Sequence, residues 1–161
     1  MEKKLLHVFP QLCTACRNCE MACSFVHAKD ARPGLSRIKA FASPEGIPTQ
    51  NSVVVCLQCE EAACVAACPA KALWRNPETG AIYLMEERCI RCHSCVAACP
   101  FGNLHLQPKS EVPVKCDLCK GDPMCAKFCP SKALQFGEVE PTIPMKPEII
   151  PEEALTTKFS F

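Results

Sequence analysis

The stretch CIRCHSCVAACP, at residues 89–100, spaces four cysteines as C-x2-C-x2-C-x3-C and follows the last of them with a proline. We call such a stretch a run, and the chain contains four runs. The first (residues 13–23) has the same spacing, whereas the second (56–68) and the fourth (116–129) lengthen only the middle gap. Proline follows the last cysteine of every run except the first, where Ser24 stands instead. Together the runs use all 16 cysteines of the 161-residue chain.

The spacing within a run indicates iron–sulfur chemistry. A C-x2-C-x2-C loop brings three thiolates together on one cubane cluster, while the fourth cysteine ligates the other cluster of a pair. We expect that fourth cysteine to start a helix that points away from the loop. The runs therefore work in twos, although the spacing leaves open which two. Because every run is complete, no iron has an open position for a substrate, which predicts a non-catalytic protein.

Two other uses of many cysteines have to be weighed. A secreted chain could form disulfides, and CxxC pairs could bind zinc. The segment MEKKLLHVFPQLC, at residues 1–13, lacks the features of a secretory signal, and no apolar stretch is long enough to span a bilayer. This predicts a cytoplasmic protein without direct membrane insertion. Four complete ligand sets, three of them ending in Cys-Pro, favour four [4Fe–4S] clusters over zinc.

The segments around the runs predict short strands and short helices, and therefore an α+β fold class. Residues 72–75 and 81–85 are expected to form a hairpin around the turn NPETG at 76–80. Comparable strands are predicted at 103–107 and 133–136, and short helices at 61–67 and 96–98. A proline after the last cysteine is expected to end the local turn and to begin an extended segment.

The charge balance bears on possible partners. The formal net charge is +1, but sixteen thiolates and four cluster cores of about +2 each bring the loaded protein to about −7. No nucleic-acid partner is therefore indicated. Basic residues in or beside the runs would offset cluster charge, although solvated surface side chains are the more ordinary interpretation; they are Arg17, Arg91, Lys115, Lys120 and Lys127. His93 is a candidate hydrogen-bond donor to a cluster sulfur, but an exposed loop position is the favoured interpretation.

Several pieces beyond the cysteines carry a family resemblance. They are SRI at 36–38, CLQC at 56–59, ERCI at 87–90 and KCDLC at 115–119. In these pieces the chain resembles the four-cluster ferredoxin-like subunits of the dimethyl sulfoxide reductase, formate dehydrogenase and formate hydrogenlyase type, and among them the small soluble ones. Ala63 stands where the family often has proline, and Ser24 departs from Cys-Pro, but neither change removes a ligand.

The resemblance implies two pseudo-symmetric two-cluster ferredoxin modules, built of short hairpins and short helices, with one inserted in the other. The outer module would comprise 1–50 and 108–137 with the first and fourth runs, and the inserted module would comprise 51–107. The resemblance also implies four ligand sets, which we call sites 1 to 4. Site 1 is Cys13, Cys16, Cys19 and Cys129; site 2 is Cys56, Cys59, Cys64 and Cys99; site 3 is Cys89, Cys92, Cys95 and Cys68; site 4 is Cys116, Cys119, Cys125 and Cys23.

Residues 138–161 differ from the rest of the chain because they contain no cysteine and have prolines at 141, 144, 147 and 151. This pattern predicts an extended tail. The tail also carries large apolar residues, which are Ile143, Met145, Ile149, Ile150, Leu155, Phe159 and Phe161. They favour a tail that wraps its own body or a neighbouring subunit, such as a second copy of this chain, over a loose end.

The function implied by the resemblance is an electron wire between a catalytic oxidoreductase and a second redox partner. Electrons would pass through the outer module and then the inserted one, with site 1 nearest the catalytic partner. That partner would be a molybdenum or tungsten enzyme such as aldehyde ferredoxin oxidoreductase or formate dehydrogenase, a hydrogenase, or a carbon monoxide dehydrogenase. The alternative is a freely diffusing polyferredoxin, which shares every ligand but would be monomeric, and a remote one is a structural zinc protein.

Overall fold

The computed structural model describes residues 4–28, 33–44, 46, 51–106 and 111–138. Within these residues the α-helices are short, and each begins inside one run: α1 (Asn18–Val26), α2 (Ala63–Ala66), α3 (Ser94–Ala98) and α4 (Met124–Lys127). Every one of them begins one residue before the third cysteine of its run. Helix α1 packs against α4, and α2 packs against α3.

The prediction that the fourth cysteine starts a helix was wrong, because in each run the helix precedes or contains that cysteine. Helix α3 ends immediately before Cys99, and α2 and α4 end two residues before Cys68 and Cys129. A proline disfavours helical backbone in the residue before it, so the Cys-Pro pairs stop these three helices. In the first run Ser24 follows Cys23, and α1 continues through both residues to Val26.

The strands of the described residues form antiparallel pairs. Strand β1 (Leu5–Val8) pairs with β8 (Leu134–Gly137), β2 (Ile38–Phe41) with β3 (Ser52–Val55), β4 (Leu73–Arg75) with β5 (Ile82–Leu84), and β6 (His105–Leu106) with β7 (Pro113–Val114). The β1–β8 pair joins the two ends of the described chain, with Val8 opposite Leu134. Short helices beside paired strands confirm the α+β class.

The β4–β5 pair confirms the predicted hairpin, with slightly shorter strands. Its turn is held by Asn76, whose side-chain oxygen accepts the backbone N–H of Glu78 at 2.7 Å. Gly80 closes the turn with a left-handed φ of +68°, which glycine adopts without steric cost. The other predicted elements are also present with shifted ends: the strands at 105–106 and 134–137, and the helices at 63–66 and 94–98. The last residue of the predicted strand 103–107 lies outside the described residues.

Cysteines make up eight of the twenty buried hydrophobic residues in the described part of the chain. One group of buried residues combines the first and fourth runs with side chains of β2, β3 and β8, such as Ile38, Val55 and Leu134. A second group combines Cys64 and Cys95 with Leu73, Ile82 and Leu104. The division into an inserted and an outer module, with the boundaries given above, stays a prediction.

The predicted tail at 138–161 lies outside the described residues except for Glu138. In the part of the chain that the structure describes, no helix has both the length and the apolar character needed to cross a membrane.

Candidate metal centres

The backbone turns at the same point of every run. The residue before the second cysteine, which is Ala15, Gln58, Arg91 or Leu118, has a left-handed φ between 52° and 58°. None of these residues is glycine, so each conformation costs roughly 1–2 kcal/mol. A left-handed residue within a turn aims successive backbone N–H groups into one concave space, which is a known way of binding anions and iron–sulfur clusters. Since no glycine marks these positions, the sequence does not reveal them.

Backbone N–H groups donate to cysteine sulfurs at distances of 3.2–3.4 Å in the described residues. Such bonds stabilise the thiolate over the thiol and help to set the reduction potential of a cluster that the sulfur ligates. The donor–acceptor pairs are Ala15 to Cys13, Arg37 to Cys23, Ala72 to Cys68, Asn103 to Cys99, and Leu118 to Cys116.

Two cavities are lined by the cysteines of sites 1 and 2. Cys13, Cys16 and Cys19 line one cavity together with Cys129, more than a hundred residues away. Apolar side chains of Val53 and Leu134 form part of its wall. The other cavity is lined by the site 2 cysteines, which are Cys56, Cys59, Cys64 and Cys99. In both cavities the fourth thiol comes from a different run.

The cysteines of sites 3 and 4 also come together across runs. Burial raises the pKa of the Cys95 thiol, and, against an opposing backbone hydrogen bond, the charges of Cys68 and Cys89 raise it further. Burial likewise raises the pKa of the Cys125 thiol, and so do the charges of four neighbours, which are Cys116, Cys119, Cys23 and Cys19. Cys68 therefore lies near the third run and Cys23 near the fourth. Cys92, the remaining member of site 3, is exposed.

Site 4 adjoins both site 1 and site 2. Cys19 of site 1 is the neighbour outside site 4 whose charge acts on Cys125. Burial raises the pKa of the Cys116 thiol to about 12; the Leu118 N–H opposes this, and the charge of Cys56 in site 2 adds to it. Cysteines of site 4 therefore lie near a cysteine of site 1 and a cysteine of site 2.

Three charged side chains form a hydrogen-bonded cluster beside Cys23. His27 Nδ1 donates to the Cys23 carbonyl at 2.8 Å and lies 3.7 Å from its sulfur, while Nε2 lies 3.3 Å from Asp117 Oδ1. Asp117 Oδ2 accepts Arg37 Nη1 at 2.8 Å, and Oδ1 accepts the Cys119 N–H at 3.1 Å. We call His27, Arg37 and Asp117 the clasp, because they tie Cys23 to Cys119, two cysteines of site 4 that lie far apart in the chain.

The charges of the clasp are mutually stabilised. The hydrogen bond to Asp117, followed by that to Cys23, raises the pKa of His27 to about 9. Burial would raise the pKa of Asp117, but the hydrogen bond from His27 and the charge of Arg37 outweigh it and hold that pKa well below its usual range. Gly34 lets the loop that carries Arg37 approach α1, since a Cβ there would collide with the His27 carbonyl oxygen.

The histidine that lies beside a cysteine sulfur is not the one that the sequence suggested. His93, the candidate inside a run, bonds through Nε2 to the Glu111 carbonyl at 3.0 Å and is half-buried. His27 is instead the histidine beside a cysteine sulfur. It lies four residues after Cys23, at the C-terminal end of α1, where residues four apart share one face of the helix.

Of the basic residues in and beside the runs, four are exposed and one is buried. Four of them are exposed, as the ordinary interpretation predicts: Arg17, Arg91, Lys120 and Lys127. For Lys115 that interpretation is wrong, because only 3% of the residue is exposed. Its ammonium donates to the carbonyl oxygens of Ile82 and Cys116 at 2.8 and 2.6 Å.

The donor chemistry of these sites fits [4Fe–4S] clusters. All sixteen cysteines are free thiols, which disfavours a disulfide scaffold. The residues around sites 1 and 2 combine convergent sulfurs with apolar walls, and backbone N–H groups point at the ligand sulfurs rather than at water. Soft thiolates in sets of four, supported by such N–H groups, suit iron–sulfur clusters.

Comparison with known proteins agrees with this chemistry. A family model described as a 4Fe-4S dicluster domain matches residues 50–139, and a 4Fe-4S binding domain matches residues 10–26. The polyferredoxin-like subunit of an aliphatic sulfonate oxidoreductase from Pyrococcus furiosus is 39% identical, over 80% of this chain and 72% of the relative. The thiosulfate reductase electron transfer subunit PhsB of Salmonella typhi is 36% identical, over 80% and 72%.

A more distant relative and a solved structure extend the comparison. One polypeptide of the polysulfide reductase from Wolinella succinogenes is 31% identical, over 91% of this chain and 86% of the relative. The active site complex BamBC of benzoyl coenzyme A reductase contains a chain with a TM-score of 0.50 and 26% identity, covering 86% of this chain and 81% of that one. Relatives named as electron-transfer subunits of reductases share most of their length with this protein. The chain therefore belongs to the family of iron–sulfur electron-transfer subunits that carry the 4Fe-4S dicluster domain.

Proposed function

We propose that this protein holds four [4Fe–4S] clusters, at sites 1 to 4, and conducts electrons between a catalytic oxidoreductase subunit and a second redox partner. The observation that carries the proposal is the convergence of thiols from distant runs. Cys129 lines the same cavity as the first run, and Cys99 lines the same cavity as the second. Each cluster takes up and releases a single electron, so the chain needs no substrate site of its own.

The neighbouring cysteines support an order for the wire. The charge of Cys19 acts on Cys125, which supports site 1 as a neighbour of site 4, and the charge of Cys56 acts on Cys116, which supports site 2 as the other neighbour of site 4. The packing of α2 on α3 brings the second and third runs together, which supports site 3 as the neighbour of site 2. The order is then site 1, site 4, site 2, site 3, with an exposed cysteine, Cys16 or Cys92, at each end.

The two ends of this wire are where partners would exchange electrons. The relatives named above serve sulfonate, thiosulfate and polysulfide enzymes, and the structural neighbour belongs to a benzoyl coenzyme A reductase. A catalytic subunit that reduces or oxidises sulfur compounds is accordingly the first partner to try. Molybdenum or tungsten enzymes of the formate dehydrogenase and aldehyde oxidoreductase kinds, hydrogenase and carbon monoxide dehydrogenase are the others.

Coulometric reduction of the anaerobically purified protein tests the function. We expect about sixteen iron and sixteen sulfide ions per chain and an uptake of about four electrons, one for each [4Fe–4S] cluster. A colourless zinc-loaded protein, or an uptake of two electrons, would contradict the proposal. Size-exclusion chromatography with and without the catalytic partner then separates a complex subunit from a freely diffusing polyferredoxin, which would elute as a monomer in both cases.

Replacing Asp117 by asparagine is expected to speed the loss of iron from site 4. The variant leaves His27 and Arg37 without their carboxylate, and a hydrogen bond to a charged group is worth about 1.5–3 kcal/mol. The rate of iron transfer to a ferrous chelator, followed through the electron paramagnetic resonance (EPR) signals of the separate clusters, measures the effect.

The matched control for this variant is Asp122→Asn. Asp122 belongs to the same run and pairs with Lys127 at 2.5 Å, but both side chains are more than half exposed. Exposed ion pairs contribute about 0–1 kcal/mol, so the control should release iron at nearly the wild-type rate. Equal rates for Asp117→Asn and the control would show that the clasp does not hold site 4.

A further inference from the structure

Lys115 is a buried cation held by uncharged partners. Its ammonium donates to the backbone carbonyls of Ile82 and Cys116, and none of the ion pairs in the described part of the chain includes it. Carbonyl oxygens accept from the ammonium but do not neutralise its charge. A lysine is rarely buried without a carboxylate partner, because burying an unpaired charge costs free energy. The buried charge of Lys115 therefore points to a functional role.

Gln58 joins the same two backbone segments as Lys115. Its side-chain nitrogen donates to the Cys116 carbonyl at 2.8 Å, and its side-chain oxygen accepts the Ile82 N–H at 2.9 Å. Gln58 stands between Cys56 and Cys59 of site 2, and only 2% of it is exposed. The two side chains therefore fix the loop of site 2 against the loop of site 4, with the ammonium at their junction.

The ammonium of Lys115 lies beside both of these sites. It donates to the carbonyl of Cys116, a cysteine of site 4, at 2.6 Å. Gln58, which stands between two cysteines of site 2, donates to the same carbonyl at 2.8 Å. A single cation is thus close enough to two sites to stabilise negative charge in both.

We propose that Lys115 is a positioning residue for electron transfer, whose buried charge raises the reduction potentials of the clusters at sites 2 and 4 together. The inference rests on the proposed function. When an electron crosses the junction, the reduced cluster at one site is oxidised by one unit and the cluster at the other is reduced by one unit. No bond forms or breaks. Because a cation between the sites stabilises either location of the electron, it favours arrival of the electron at the junction from both ends.

Because Lys115 is buried, its charge acts more strongly on nearby clusters than an exposed charge would. An exposed lysine near a cluster is screened by water and salt, whereas a charge in the interior interacts at a lower effective dielectric constant. Lys127, inside the run that Lys115 directly precedes, has a side chain that is 54% exposed and pairs with Asp122. Lys127 is therefore the matched control, because it carries the same charge but is exposed.

The test is an EPR-monitored redox titration of the loaded full-length protein. Lys115→Met and Lys115→Gln should shift the one-electron reduction equilibria of sites 2 and 4 about tenfold towards the oxidised form, which corresponds to about 59 mV. Lys115→Arg keeps the charge and should stay close to wild type, as should Lys127→Met. The signals of the two sites are assigned from the components lost in Cys59→Ser and Cys119→Ser.

The inference is overturned if the neutral variants keep wild-type potentials at both sites. It is equally overturned if both neutral variants lose the iron of sites 2 and 4, since Lys115 would then serve the structure rather than the potential. A wild-type protein with fewer than four clusters would instead count against the proposed function, so the two failures are distinguishable.

Discussion

Anaerobic removal of the iron is expected to abolish the cooperative thermal transition of this protein and most of its native circular dichroism. Of the twenty buried hydrophobic residues in the described part of the chain, eight are cysteines. Among the same residues, the largest fully buried side chains are only Ile38, Ile82, Leu118 and Leu134. Helices of four to nine residues add little, because isolated helices shorter than about 12–15 residues are marginal in water. Without clusters, the remaining apolar core is too small to hold the chain.

Backbone strain points the same way. Eleven non-glycine residues in the described part of the chain have a positive φ, most of them beside a cysteine of a run. At roughly 1–2 kcal/mol each, these conformations persist only while the surrounding structure imposes them. Ligation of the neighbouring sulfurs supplies that constraint. The free energy of metal binding therefore contributes directly to the free energy of folding. Removing the iron with a chelator should therefore relax the strained backbone and unfold the protein at the same time.

The measurement is a thermal scan by circular dichroism after treatment with a ferrous chelator and a reductant that keeps the thiols free. A mock-treated sample is the control, and reconstitution with ferrous iron and sulfide should restore the transition. Keeping the thiols reduced matters because air oxidation could replace clusters by disulfides. An apo-protein that still melts cooperatively with native circular dichroism would show that the polypeptide folds without its clusters.

The sequence predicts the parts of this structure that depend on local spacing. The hairpin around Asn76 and Gly80 follows from turn chemistry, and the helix stops follow from the Cys-Pro pairs. The helix starts do not, because no capping residue marks them: in the structure the residues before the helices, such as Arg17 and His93, make no side-chain cap. Strand β1 was also missed, because its partner β8 lies more than a hundred residues away and no local pattern encodes that pairing.

At the candidate sites, the roles of charged residues were harder to predict from the sequence than those of the cysteines. Composition treats Lys115 and Lys127 alike, yet one is buried at a junction and the other is exposed. Burial depends on which backbone carbonyls converge around the ammonium, and these come from segments far apart in the chain. Asp117 is similar, since its role depends on His27 and Arg37 being brought within hydrogen-bonding distance.

Replacing Cys129 by serine is expected to remove the cluster of the first run, and to spare the cluster of its own run. The β1–β8 pair brings the fourth run to the first, because the Phe9 N–H donates to the Ala133 carbonyl at 2.8 Å. Burial raises the pKa of Cys19 to about 11, and the charge of Cys129 adds to it. A serine oxygen is a harder and weaker ligand for the cluster than a thiolate.

The result should be a loss of about four iron atoms, one [4Fe–4S] cluster, with one EPR component missing. Cys16→Ser identifies that component, because Cys16 belongs to the first run and lines the same cavity as Cys129. Cys125→Ser is the matched control within the fourth run, and it should delete a different component. If Cys129→Ser and Cys125→Ser removed the same signal, each run would hold its own cluster. The pairing of distant runs, and with it the order of the wire, would then have to be abandoned.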